Sequence, residues 1–130
     1  MTLSSIVGRR AAAALLTAVI VELTAATAYI HFTLGGTLFL LNAFGYVALA
    51  VAYVAAATAP IPIVQRFGWL PRAGLAGYAL LTIGAYLVMG PYFDLGWIAK
   101  GIELAIVGLV AVDLLAGQGS AARVVRAIEG

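Results

Sequence analysis

The chain consists of four long apolar runs separated by short polar, glycine-rich or proline-containing breaks. The runs cover about residues 11–31, 37–58, 73–89 and 95–116. A helix of about 20 residues crosses a hydrocarbon core of ~30 Å, so each run is long enough to span a bilayer. The pattern predicts an all-α, polytopic membrane protein that folds as a single four-transmembrane-helix bundle over residues 1–116.

Glycine and proline mark the breaks between the runs. Gly35-Gly36 predicts a tight turn after the first helix. Pro60 and Pro62 end the second helix, because proline lacks the N–H group that a helix interior needs. Gly90-Pro91 ends the third helix in the same way.

Two further segments are predicted to lie at the membrane surface. Residues 61–72 read as an interfacial loop, with Pro71 suited to the first turn of the following helix. Residues 117–130 read as a cytoplasmic tail that is able to form a short surface helix.

The first run also has features of a secretory signal peptide. Arg9-Arg10 precede it, and Ala26-Thr27-Ala28 resembles a small-residue cleavage site. Glu22 interrupts the apolar run, however, and this favours an uncleaved transmembrane helix.

Composition supports a membrane protein and narrows its chemistry. Of the 130 residues, 65% are hydrophobic and 9% are charged, and the mean hydropathy is +1.12, whereas soluble domains carry roughly 25% charged residues. The chain has no cysteine and one histidine, so we expect neither a disulfide, a multi-histidine metal site nor any other cofactor. We also expect no nucleic-acid partner and no enzymatic activity, because neither a basic footprint nor a catalytic constellation is present.

The arginines are predicted to lie on one side of the membrane, and Lys100 lies on the other. By the positive-inside rule, both termini are then in the cytoplasm, beneath the inner (plasma) membrane. The arginines on the terminal side are Arg9, Arg10, Arg66, Arg72, Arg123 and Arg126.

Five polar residues within the runs are candidates for binding a ligand or a proton. Counted from the outer helix ends, Lys100, Asn42, Glu103, Glu22 and Tyr46 lie roughly 8, 9, 12, 14 and 15 Å deep. We therefore expect one cluster in the outer half of the membrane. Two carboxylates would share one lysine in it, so we expect at least one of them to bind a proton.

Two other polar residues are given structural roles at this point. His31 is expected at the outer interface, and Asp113 is expected to end the apolar span at the inner side. The candidate cluster also has a structural alternative, in which Glu22, Lys100 and Glu103 fix the helix register or contact another subunit.

One stretch of sequence resembles a known group of proteins. The run from Leu38 to Tyr46 after a helix ending in His31, together with Asp94-Leu95-Gly96-Trp97, Lys100 and Ile102-Glu103, resembles uncharacterised small four-helix bacterial integral membrane proteins. The resemblance implies the fold and no activity.

Three functional hypotheses follow. The first is a non-enzymatic accessory or structural component of a membrane assembly, which self-associates or binds another membrane subunit. The second is a small proton-coupled carrier or channel with an outward-facing polar pocket around Glu22, Lys100 and Glu103. The third is a site for a lipid or quinone headgroup in the outer half of the bilayer.

Overall fold

The computed structural model of the chain describes residues 2–116, and the regular secondary structure of this part consists of α-helices only. The predicted tail at 117–130 lies outside the described residues. The helices of the described part are α1 (Leu3–Leu34), α2 (Thr37–Thr58), α3 (Pro62–Arg66), α4 (Trp69–Met89) and α5 (Asp94–Ala116).

Helix α1 is longer than the first apolar run, because it extends by about two turns into the polar lead. Thr2 caps this extension, and its hydroxyl accepts a hydrogen bond from the Ser5 N–H at 3.2 Å. At its other end, Gly35 and Gly36 have φ angles of 71° and 84°. L-residues with side chains rarely adopt these angles, so the two glycines permit the tight turn into α2.

The segment between α2 and α4 differs from the predicted interfacial loop. Residues 62–66 form the short helix α3, and α4 already begins at Trp69 rather than near residue 73. Pro71 lies in the first turn of α4, where its missing N–H breaks no helical bond. Gln65 ties α3 to the end of α2, since its Nε2 donates to the Ala59 carbonyl at 2.6 Å.

The four long helices form a ring in the order α1, α2, α4, α5, in which each helix packs against its two neighbours. The turns α1–α2 and α4–α5 lie at one end of the bundle, which we call the hairpin end. The start of α1, the end of α2, the start of α4 and the end of α5 lie at the opposite, terminal end. The buried apolar core contains Ile20, Ala28, Tyr46, Tyr53, Leu75, Ala79, Ile106 and Val110.

Three of the described helices, α1, α2 and α4, are long and apolar enough to cross a membrane. Many of their large apolar side chains face outward, among them Leu81 and Val88, which are 71% and 85% exposed. Monomeric soluble proteins rarely expose large contiguous apolar patches. The all-helical class is confirmed, together with these candidate membrane spans.

Candidate functional site

A buried carboxylate at the hairpin-end half of the bundle organises the main polar site. Glu103 on α5 is completely buried. Its Oε2 lies 2.7 Å from the Lys100 ammonium nitrogen, one turn earlier on the same helix. Its Oε1 accepts a hydrogen bond from the Thr27 hydroxyl of α1 at 3.2 Å. We call Thr27, His31, Lys100 and Glu103 the hairpin-end network.

His31 belongs to this network and is only 2% exposed, so its side chain faces the bundle interior, a contact that its predicted place at the outer interface did not include. Its Nδ1 lies 2.7 Å from the Thr27 carbonyl oxygen. A carbonyl only accepts, so Nδ1 carries a proton and Nε2 is free to take up a second. Nε2 lies 3.8 Å from Glu103 Oε1. The imidazole and the carboxylate are therefore within ion-pair distance, although 3.8 Å is longer than a hydrogen bond.

Aromatic residues form the wall beside the network. The Tyr46 ring centroid lies 5.8 Å from that of His31, and its hydroxyl hydrogen-bonds Thr82 at 2.9 Å. Tyr78 packs edge-on against Tyr46 at 4.7 Å and donates to the Asn42 carbonyl oxygen at 2.9 Å. An added Cβ at Gly45 would clash with the Tyr78 hydroxyl. Glycine is therefore required for this close packing of α2 against α4.

The structure brings four of the five predicted site residues to the same region. Lys100 and Glu103 form the ion pair, Tyr46 packs beside it, and Asn42 lines a cavity with Lys100. The Asn42 side-chain oxygen is buried and has no hydrogen-bond partner within residues 2–116. These four residues therefore lie near one another in the hairpin-end half of the bundle, and His31 lies with them where Glu22 had been expected.

Glu22 is the one predicted site residue that does not lie in the hairpin-end network. Its side chain is exposed, and it lines a groove between α1 and α2 that also contains Arg10 and Thr58, toward the terminal end. It makes no ion pair with any residue between 2 and 116. The cause is helix rotation: α1 buries the face with Thr24, Thr27 and His31, so Glu22 points away from Lys100 and Glu103.

A second buried ion pair lies at the terminal end. Arg72 on α4 is 0% exposed, and its Nε donates to Asp113 Oδ2 of α5 at 2.7 Å. Tyr53 of α2 donates its hydroxyl to the same oxygen, and the Arg72 guanidinium lies 5.1 Å from the Tyr53 ring centroid. Arg72 Nη1 also donates to the Gly68 carbonyl at 2.6 Å.

Sequence reasoning missed this pair and misassigned both partners. Arg72 was expected in an interfacial loop, but it lies within α4 and points into the bundle. Asp113 was expected to end the apolar span, but it is 2% exposed and paired. One sequence feature could have indicated a second polar site at the terminal end: Tyr46 and Tyr53 lie seven residues apart on one face of α2. In the structure the hydroxyl of each tyrosine bonds a polar side chain of another helix.

A cavity of about 340 Å³ adjoins the hairpin-end network. It lies mainly between α2 and α4, and His31 and Lys100 contribute to its lining. The arrangement is suited to holding a proton or a small polar group next to an apolar chamber. Comparison of the chain with protein-family models, with curated proteins and with solved structures finds no match.

Proposed function

We propose that the chain is a non-enzymatic integral membrane protein in which α1, α2, α4 and α5 all cross the plasma membrane. The apolarity of α1, α2 and α4 supports three of the crossings. Helix α5 packs against α1 and α4 and has 23 residues, enough for a fourth. Arginines at the terminal end favour cytoplasmic N and C termini.

We further propose that the protein is an accessory or structural component of a larger membrane assembly. The observation that carries this proposal is the exposed carboxylate of Glu22, roughly 18 Å along the helix from both Arg10 and Leu34. A charge at this depth costs about 2.5–3.5 kcal/mol on insertion scales. A donor or cation from another helix would remove most of this cost.

The groove beside Glu22 is lined mainly by small side chains. It measures about 520 Å³ and runs between the terminal-end halves of α1 and α2. Small side chains let helix backbones approach closely in a membrane, where lipid provides no hydrophobic drive for association. The small or short residues that line it are Ala13, Ala14, Thr17, Ala18, Ala57 and Thr58.

Glu22→Gln is expected to weaken the assembly, because it removes the charge that the neighbouring helix compensates. We expect the purified variant in lipid nanodiscs to bind a second copy, or its co-purifying subunit, about tenfold more weakly than the wild type does. Light scattering and native mass spectrometry measure both outcomes.

Asp94→Asn is the matched control, since Asp94 is also an exposed carboxylate but lies at the start of α5 at the hairpin end. It should leave the assembly unchanged. A wild-type protein that is monomeric and without a partner, or a Glu22→Gln protein that assembles normally, would contradict the assembly proposal.

The hairpin-end network supports a second candidate, a small proton-coupled carrier or channel. Glu103 and His31 are titratable groups 3.8 Å apart, a distance that one bridging water or a small side-chain movement would close, and His31 and Lys100 line the adjoining cavity. In this candidate His31 takes the place that the sequence had assigned to Glu22.

Glu103→Gln is expected to abolish pH-driven transport if the carrier candidate holds, because the amide of glutamine, unlike a carboxyl group, does not take up and release a proton. The measurement is proton flux into proteoliposomes under an imposed pH gradient, with Asp94→Asn as the control. We expect at least a tenfold loss of flux for Glu103→Gln alone. Wild-type flux no greater than that of empty liposomes eliminates the candidate.

A further inference from the structure

Exposed apolar side chains of α2 and α4 flank the cavity between these two helices. The residues at its rim are large, apolar and strongly exposed: Leu38, Leu41, Leu81 and Met89 are 69%, 62%, 71% and 67% exposed. They lie on the outer faces of α2 and α4, which are candidate membrane spans. A ligand therefore reaches this cavity from the lipid phase and carries an apolar part.

The polar groups in the cavity define the other part of the ligand. The Lys100 ammonium has three donors, and Glu103 at 2.7 Å occupies one side of it. The Asn42 side-chain oxygen is buried and accepts no hydrogen bond in the described chain. Because this oxygen only accepts, a ligand oxygen would bond the NH2 group of Asn42, which a 180° rotation of the carboxamide brings to the same position. Both groups belong to the lining of the same cavity.

The charge balance favours a neutral ligand. Lys100 is the only Lys, Arg, Asp or Glu residue of the described chain in the cavity lining, and Glu103 behind it already neutralises its charge. An anionic headgroup would bring a second negative charge to the same ammonium, in a medium of low dielectric constant. A carbonyl oxygen, in contrast, accepts a hydrogen bond from the ammonium without adding charge.

The aromatic lining favours a flat ring. Phe39, Tyr78, Tyr86 and Phe93 all line the cavity. Tyr86 is held in place by Phe93, whose N–H donates to its hydroxyl at 3.0 Å. Planar conjugated rings pack well against such side chains in stacked or edge-on geometries. The volume of about 340 Å³ falls in the range of small-molecule sites.

We propose that this cavity binds the head ring of a lipid-soluble quinone. One ring carbonyl accepts a hydrogen bond from Lys100, the NH2 group of Asn42 donates to a second oxygen, and the apolar tail leaves between Leu38 and Leu81 into the lipid. The proposal concerns binding alone and includes no electron transfer. It rests on the proposed membrane placement of α2 and α4, and it is independent of the assembly at Glu22.

The test is calorimetric titration of the detergent-purified protein with a decyl-substituted para-benzoquinone. We expect saturable binding of one quinone per chain. Lys100→Met removes the donor and should weaken binding by at least tenfold. Ala85→Phe fills the cavity while leaving the buried ion pair intact, so it should abolish binding even if Lys100→Met fails to fold.

Val88→Phe is the matched control, because Val88 lies on the same helix, is 85% exposed and does not line the cavity. It should bind as the wild type does, and so should Glu22→Gln, which separates this proposal from the assembly. Absence of saturable binding, or equal affinity in Ala85→Phe, overturns the proposal. Tighter binding of a short-chain phosphatidic acid with the same dependence on Ala85 also overturns it, in favour of a phosphate headgroup.

Discussion

Asp113→Ala is expected to lower the free energy of unfolding by about 3–5 kcal/mol, the largest effect of any single substitution proposed for this chain. The substitution leaves the Arg72 guanidinium buried without its counter-ion, at 0% exposure. It also removes the acceptor of the Tyr53 hydroxyl. Unfolding in mixed micelles of increasing SDS content, followed by tryptophan fluorescence, measures the change.

The triple variant Arg72→Met, Asp113→Leu, Tyr53→Phe is the companion experiment. Replacing a buried ion pair by apolar residues of similar volume is often neutral, so most of the lost stability should return. Asp94→Asn, at an exposed carboxylate in the first turn of α5, loses only the favourable charge at the helix N-terminus and should lower stability by less than about 1 kcal/mol. An Asp113→Ala protein destabilised by no more than this control would show that the ion pair does not hold the terminal end together.

Lys100→Met is expected to destabilise the protein more than Glu103→Gln, although the two residues form one ion pair. Lys100→Met leaves the completely buried Glu103 carboxylate without its ammonium partner, at a cost of about 3 kcal/mol. Glu103→Gln leaves an ammonium whose side chain is 10% exposed. Its long stem can turn toward the hairpin end, so we expect a cost of roughly 1 kcal/mol.

The same SDS titration measures both variants and the double variant. The double variant should be more stable than Lys100→Met alone, because it no longer buries an unpaired charge. Equal costs for the two single variants would contradict the asymmetry and would mean that Lys100 is held as rigidly as Glu103. A small cost for Glu103→Gln also means that a loss of flux in this variant is not a loss of fold.

Local residue chemistry was sufficient to predict the helices themselves. Helix α2 runs from Thr37 to Thr58, as the apolar run indicated, because two glycines precede it and two prolines follow it closely. The predicted helix ends were wrong where the helix continues through polar residues. The Thr2 cap extends α1 toward the N terminus, and α4 includes Arg72, whose charge had suggested a loop.

Depth along a helix was also predictable, whereas rotation about the helix axis was not. Each residue rises 1.5 Å, and counting these rises placed Lys100, Glu103, Asn42 and Tyr46 at similar levels, where the structure brings them together. Glu22 lies on the opposite face of α1 from His31. Counting depth gives both residues a position but does not say which of the two faces is buried.

The sequence by itself thus determined the helical class, the apolar helices α1, α2 and α4 that are suited to a membrane, and the levels of most polar groups along the helices, since each of these depends on residues close together in the chain. The tertiary structure alone decided which polar groups meet. Thr27 reaches Glu103 across 76 positions, and Arg72 reaches Asp113 across 41. These contacts depend on the rotation of α1, α4 and α5 about their own axes, which decides which face of each helix is buried. That rotation depends on packing between helices and not on residues close together in the chain.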